Sequence, residues 1–238
     1  MGHLHRLIAF DLDGTLIDSR RDLADSANQL ITELGGQLLS EDAIGRMVGE
    51  GAALLVRRAL EASGMGERPH VLDRFLEIYD ARLLNHTRLY DGIADVIQRA
   101  REQATLTVLT NKPAAPSERI LAALGIRELF DEVVGGDGAY PRKPNPDALR
   151  AMMRSAGATT KETLLVGDSE IDLATARNAG VKSCLVSYGF GFRQELRSQL
   201  STPDARIADD MRELSRVIAD FCGPSANVRP LRATEGTR

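Results

Sequence analysis

The sequence predicts an α/β fold: a mainly parallel sheet flanked by helices, with a helical module inserted after the first strand. Three observations lead there. Short apolar runs alternate with amphipathic, helix-like segments along most of the chain, the rhythm of a parallel sheet covered by helices. That rhythm breaks between residues 18 and 89, where only helical periodicity is found. The first apolar run, Leu7-Ile8-Ala9-Phe10, leads straight into two acids, Asp11 and Asp13, before Gly14 interrupts the extended segment.

The strand candidates are residues 7–10, 106–110, 132–134, 163–167 and 183–186, with a weaker one at 205–208. Helical segments lie between most of them, at 114–124, 147–156 and 172–179. Within the insertion, Leu23, Ala27, Leu30 and Ile31 share one helical face, and residues 53–60 and 71–84 repeat the pattern. Ligands of such sheets bind at the carboxyl ends of the strands. The insertion departs just after the two acids, so it is placed to close over them as a lid. The expected organisation is a core of residues 1–17 and 89–222, a cap of residues 18–88, and a mobile tail of residues 223–238, where large apolar side chains are few.

The 238 residues are 43% hydrophobic and 27% charged, the make-up of an ordinary globular protein. A net charge of −4 gives no reason to expect nucleic acid or an anionic membrane as partner. A negatively charged substrate therefore needs a local positive site. No apolar run approaches 18 residues, and the first strand follows Arg6 without the apolar stretch of a signal peptide. Cys184, within a strand-like run, and Cys222 are the only cysteines. A disulfide framework is not expected, and a reducing cytoplasm is.

The chemistry gathers at strand ends. In extended backbone, residues i and i+2 point to the same side, so Asp11 and Asp13 reach one site. Adjacent carboxylates resist joint ionisation, a conflict that a divalent cation removes, and hard oxygen ligands suit Mg²⁺. Asp11 is then a candidate nucleophile on phosphorus, and Asp13 the group that moves the proton. The second long strand ends in Thr110 and Asn111, a hydroxyl and an amide suited to phosphate oxygens. Pro141 and Pro144 frame Lys143 in stiff backbone. A lysine held near Asp11 keeps that carboxylate ionised and offsets phosphate charge. Leu164-Leu165-Val166-Gly167 delivers Asp168, a natural third metal ligand. Asp172, four residues on, sits over the same rim, where it can bind metal-bound water or orient Asp168.

The string Phe10-Asp11-Leu12-Asp13-Gly14-Thr15-Leu16 resembles the first motif of the haloacid dehalogenase superfamily. The four strand ends in their order, Asp11-x-Asp13, Thr110, Lys143 and Gly167-Asp168-x₃-Asp172, resemble the four-motif signature of its phosphatases across residues 7–179. The resemblance implies a Rossmannoid core with a C1 cap, a Mg²⁺ cofactor and a phosphoaspartyl intermediate. It implies Asp11 as nucleophile and metal ligand, and Asp13 as general acid/base with its carbonyl on the metal. Thr110 takes the phosphate position with Asn111 beside it, Lys143 is the motif lysine, and Asp168 is the remaining ligand, supported by Asp172.

Within the superfamily, four stretches resemble the phosphoglycolate phosphatases: Val48-Gly49-Glu50-Gly51 with residues 54–60, Leu89-Tyr90-Asp91-Gly92, Tyr140-Pro141-Arg142-Lys143-Pro144, and Val186-Ser187-Tyr188-Gly189-Phe190-Gly191. One departure is Glu170-Ile171, where family members often carry Arg-Asn or similar; it adds an acid near the metal rim. The implied reaction is hydrolysis of 2-phosphoglycolate, a small phosphorylated metabolite, to glycolate. Sugar-phosphate hydrolysis and sugar phosphomutation are the alternatives. A dehalogenase needs no proton donor two residues beyond its nucleophile, so Asp13 argues against that activity. The cap is expected to choose the substrate. Gly49, Glu50 and Gly51 form a loop able to turn tightly and enter the closed site.

Overall fold

A computed structural model describes residues 6–200 and 204–223. The expected tail, Gly223 apart, lies outside the described residues, as do the first five residues. The chain runs β1 (Leu7–Phe10), β2 (Ile17–Asp18), then α1 (Arg20–Leu34), α2 (Glu41–Gly45), α3 (Ala52–Ala62) and α4 (Val71–Asp80). It continues through β3 (Arg88–Leu89), α5 (Ile93–Arg101), β4 (Thr105–Leu109), α6 (Ala114–Ala123), β5 (Glu132–Val134) and α7 (Asp147–Ala156). The remainder is β6 (Thr163–Gly167), α8 (Glu170–Ala179), β7 (Lys182–Val186), α9 (Leu196–Gln199), β8 (Ala205–Ala208) and α10 (Met211–Cys222).

Six strands form one parallel sheet in the order β5-β4-β1-β6-β7-β8. Its central strands β1 and β6 are largely apolar because both faces are covered, while Glu132, Lys182 and Arg206 mark the strands farther out. Ile8 and Phe10 point to the side packed by Ile93, Val96 and Ile97 of α5 and Leu214 and Ile218 of α10. Leu7 and Ala9 point the other way, onto Leu149, Met152 and Met153 of α7 and Ala176 of α8. Leu7, Ile8 and Phe10 are fully buried, each contributing roughly 1.5–3 kcal/mol by leaving water.

From β1 the chain crosses first to β4 on one side and later to β6 on the other. The strand order thus reverses at β1, and such a reversal opens a crevice at the strands' carboxyl ends. Phe10 is level with Val108 on one side and Val166 on the other. Asp11, Thr110 and Asp168 consequently emerge side by side.

Helices α1–α4 are inserted between β2 and β3, as the uninterrupted helical periodicity predicts. β2 and β3 themselves pair antiparallel, Ile17 opposite Leu89 and Asp18 opposite Arg88, where the chain enters and leaves the insertion. Two residues per strand leave no periodic pattern, so this clasp is not visible in the sequence. The helical periodicity read to residue 84 ends at Asp80, and residues 81–86 form turns.

Candidate active site

Asp11 directly follows β1, and its N–H donates to the Val166 carbonyl at 2.8 Å, fixing it against β6. Beyond it, the N–H groups of Thr15, Leu16 and Ile17 converge on the Leu12 carbonyl. This tight turn carries Asp13 and returns the chain to β2. Gly14 adopts φ +86°, and a Cβ there would fall 2.0 Å from Asp168 Oδ2, so the turn tolerates only glycine.

Lys143 Nζ lies 2.8 Å from Asp11 Oδ1 and 2.6 Å from Asp172 Oδ1. The Lys143–Pro144 peptide is cis. Burial would lower the Lys143 ammonium, but Asp11 and Asp172 outweigh it and hold the group above the usual lysine range. Asn111 holds the lysine's backbone: Oδ1 accepts the Lys143 N–H at 2.8 Å, and Nδ2 donates to the Lys143 carbonyl at 3.0 Å. Nδ2 also donates to the Gly49 carbonyl at 2.8 Å. The Asn111 side chain therefore faces backbone, tying β4, the Lys143 loop and the insertion together. Thr110 is buried, and its hydroxyl accepts the Lys112 N–H at 3.2 Å while keeping its own hydrogen to donate.

Asp168 ends β6, and its Oδ2 accepts the Gly191 N–H at 2.7 Å. Gly189 lies so close that a Cβ on it would approach Asp168 Cβ to 2.3 Å. The segment from Tyr188 to Gly191 resembled relatives in sequence but suggested no contact with the acids. In three dimensions it covers Asp168. Asp172 is the third residue of α8, and its Oδ2 accepts from Ser169 N at 3.1 Å and Ser169 Oγ at 2.6 Å, closing a reciprocal cap on that helix.

Asp11, Asp168 and Asp172 are buried, with carboxylate oxygens within 4.8 Å of one another. Burial pushes the Asp11 carboxyl up to about 6, against the pull of Lys143 and with further repulsion from Asp172. Asp168 is pushed well above the ordinary carboxylate range by burial, then by the charges of Asp172 and Asp11. Three anions sharing one cation, Lys143, are under-neutralised. The donor set is oxygen only. Both features fit a hard divalent cation; Asp11 gives one oxygen to Lys143 and Asp168 one to Gly191, whereas Asp172 gives both, to Lys143 and its helix cap.

Asp13 does not join this cluster. Its carboxylate accepts Ser19 Oγ at 2.5 Å and Lys112 Nζ at 3.1 and 3.2 Å. Lys112 Nζ also donates to the Tyr79 hydroxyl of α4 at 2.6 Å. Burial lowers the Lys112 ammonium, but Asp13 and Tyr79 hold it above its ordinary range. Ser19, Tyr79 and Lys112 were not singled out in the sequence. Only the place of Lys112, directly after Thr110 and Asn111, offered a signal.

A cleft opens beside Asp11 and Asp13, between the sheet's carboxyl edge and the insertion. Thr110, Asn111 and Lys112 line it from the sheet side, and Leu55, Phe75 and Tyr79 from the insertion. Gly49 and Gly51 line it as well. Glu50 does not: its side chain turns to Arg58, 2.5 Å away.

A six-stranded parallel sheet with Asp11, Lys143 and Asp168 at its switch point and helices closing over them is a Rossmann-like α/β enzyme core with an aspartate at its centre. The family pattern described as haloacid dehalogenase-like hydrolase matches residues 8–186. Relatives agree. The chain is 40% identical over 194 residues to a phosphoglycolate phosphatase of Rhodospirillum rubrum, covering 78% of this chain and 80% of that one. It is 36% identical over 223 residues to a phosphoglycolate phosphatase of Pseudomonas fluorescens, covering 90% and 79%. The crystal structure of a predicted phosphoglycolate phosphatase from Haemophilus somnus superposes with a TM-score of 0.83 at 30% identity, covering 92% of this chain and all of that one. The chain belongs to the haloacid dehalogenase-like hydrolases.

Proposed function

We propose that this protein is a Mg²⁺-dependent phosphomonoester hydrolase that converts 2-phosphoglycolate to glycolate through a phosphoaspartyl intermediate on Asp11. The observation that carries the reading is Asp11 at the switch point, held by Lys143 and facing Asp168 across the acid cluster. The substrate assignment is supported by the relatives that carry that name.

Asp11 and Asp168 would hold Mg²⁺, which when bound would supply positive charge to the phosphoryl oxygens and to the attacking carboxylate. Lys143 keeps Asp11 ionised and aligned, and its ammonium offsets charge spreading over the transferred group. Thr110 donates its hydroxyl to a phosphoryl oxygen. Asp11 attacks phosphorus in line, forming the acyl phosphate as the ester P–O bond breaks. Asp13 gives its proton to the departing alkoxide, then takes one from the water that hydrolyses the phosphoaspartate, releasing inorganic phosphate. Helices α1–α4, the cap of this reading, exclude bulk water and read the remainder of the substrate. The cleft's largely apolar wall speaks against a sugar phosphate, whose hydroxyls would lie unpaired against Leu55 and Phe75. A reducing cytoplasm fits Cys184 and Cys222, both buried and free. Among the described residues no helix is long and apolar enough to cross a membrane.

Phosphate release from a panel of small monoesters, with Mg²⁺ and with chelator, tests the reading. The expected result is Mg²⁺-dependent release with the highest kcat/KM for 2-phosphoglycolate. Transfer of the phosphoryl group to a sugar acceptor without free phosphate would show a mutase instead.

A further inference from the structure

Among the described residues Lys112 is the one cation lining the cleft, and the reaction above gives it no role. Its side chain is 5% exposed, a strongly hydrated group withdrawn from water. It contacts Asp13 on the sheet side and Tyr79 on the insertion side, with Nζ 4.5 Å from the centre of the Tyr79 ring. The Tyr79 hydroxyl accepts from Lys112 and keeps its own hydrogen to donate. An ammonium and a hydroxyl donor therefore stand together where the apolar wall of Leu55 and Phe75 meets the polar sheet edge, a combination suited to a carboxylate.

The span is also short. Asp13 must come within hydrogen-bond reach of the leaving ester oxygen to protonate it. Lys112 Nζ is 3.1 Å from Asp13 Oδ2. Lys112 and the leaving ester oxygen thus share Asp13 as a neighbour, which favours a substrate whose anionic end lies close to its ester oxygen. Lys143, the other buried cation nearby, is shared between two carboxylates, Asp11 and Asp172, whereas Lys112 faces one, Asp13.

We propose that Lys112, with the Tyr79 hydroxyl, is the specificity-determining seat for a substrate carboxylate, selecting phosphate esters of short 2-hydroxy acids. The inference rests on the phosphatase reading and deepens it. Because Tyr79 belongs to α4, seating the carboxylate also couples recognition to the insertion's closure.

The test compares kcat and KM for 2-phosphoglycolate with those for 2-hydroxyethyl phosphate, which carries a neutral end, using the full-length Mg²⁺-loaded protein. Wild type should favour the carboxylate. In Lys112→Met the ratio of the two kcat/KM values should fall by about 10–100-fold, the size of a lost charge-assisted hydrogen bond. Most of that change should lie in KM. Tyr79→Phe should lower the ratio by about 3–10-fold, and Lys112→Arg should retain more of it than Lys112→Met. An unchanged ratio in Lys112→Met, whether both substrates lose equally or neither does, overturns the proposal and leaves Lys112 as a support for Asp13. Should Lys112→Met fail to fold, the Tyr79→Phe ratio decides in the same way. A wild type that hydrolyses both esters without favouring the carboxylate overturns the seat while phosphatase activity stands. A wild type inactive on every monoester removes both.

Discussion

Lys143 Nζ stands 2.8 Å from Asp11 Oδ1, although the two lie 132 positions apart in sequence. The same ammonium reaches Asp172 at 2.6 Å, so one cation links the end of β1 to the start of α8. Around that link three carboxylates share too little positive charge, and several consequences can be measured.

Replacing Asp11 by Asn should lower turnover by at least about 10⁴-fold, because a neutral amide cannot attack phosphorus. The fold should survive, since Lys143 keeps Asp172 as partner. Activity near wild type in a preparation free of other phosphatases would end the nucleophile assignment, and circular dichroism checks the fold.

Asp168→Ala should act mainly on the metal. Titration of activity with Mg²⁺ should show half-saturation raised by at least about 10-fold, with substrate KM much less affected at saturating metal. An unchanged half-saturation would remove Asp168 from the ligand set.

Asn111→Ala removes the bonds to the Lys143 backbone and to Gly49 together. The variant should lose about 10–100-fold in kcat/KM, the usual scale for loosening a positioned group. The loss should be similar for 2-phosphoglycolate and acetyl phosphate, because both need Lys143. A loss confined to 2-phosphoglycolate would assign Asn111 to substrate recognition instead.

Thermal stability should depend on pH and metal together. Asp11 is raised from 3.8 to about 6 in the folded chain, so its buried charge destabilises the metal-free protein increasingly as pH climbs through that window. Asp168, raised further, extends the effect upward. Mg²⁺ relieves the repulsion only where the protons have left. The Tm increase on adding Mg²⁺ to chelator-treated protein should therefore be larger at pH 7.5 than at pH 5. An equal or reversed shift would place the metal elsewhere.

The loop at Gly49 and Gly51 should govern selectivity. Both residues have positive φ, +121° and +93°, and a Cβ on Gly51 would sit 3.0 Å from Arg142 Nη1. Gly51→Val should strain the backbone by about 1–3 kcal/mol and narrow the cleft. The kcat/KM for 2-phosphoglycolate should fall far more than that for acetyl phosphate. Equal losses would point to impaired closure, and no loss would show that the loop does not meet substrate.

Local patterning along the chain was enough to read the parallel sheet and the place of its strand-end acids. Continuous apolar runs bounded by polar turns are a local signal, and Asp11, Thr110 and Asp168 follow such runs directly. Cross-strand register then brings them together without further information. The helical insertion was legible for the same reason, since Leu23, Ala27, Leu30 and Ile31 repeat at the spacing of one helix face. The β2–β3 clasp, the cover of Gly189 and Gly191 over Asp168, the orientation of Asn111 toward backbone, and the Lys112–Asp13–Tyr79 cluster were decided only by tertiary structure. Each joins residues far apart in the chain through a single polar or steric contact. Such contacts leave no periodicity, because one hydrogen bond fixes one side chain and places no demand on its neighbours in sequence. Glu50 shows the converse: its position in a loop at the cleft suggested a role there, yet the nearby Arg58 guanidinium holds its carboxylate outside.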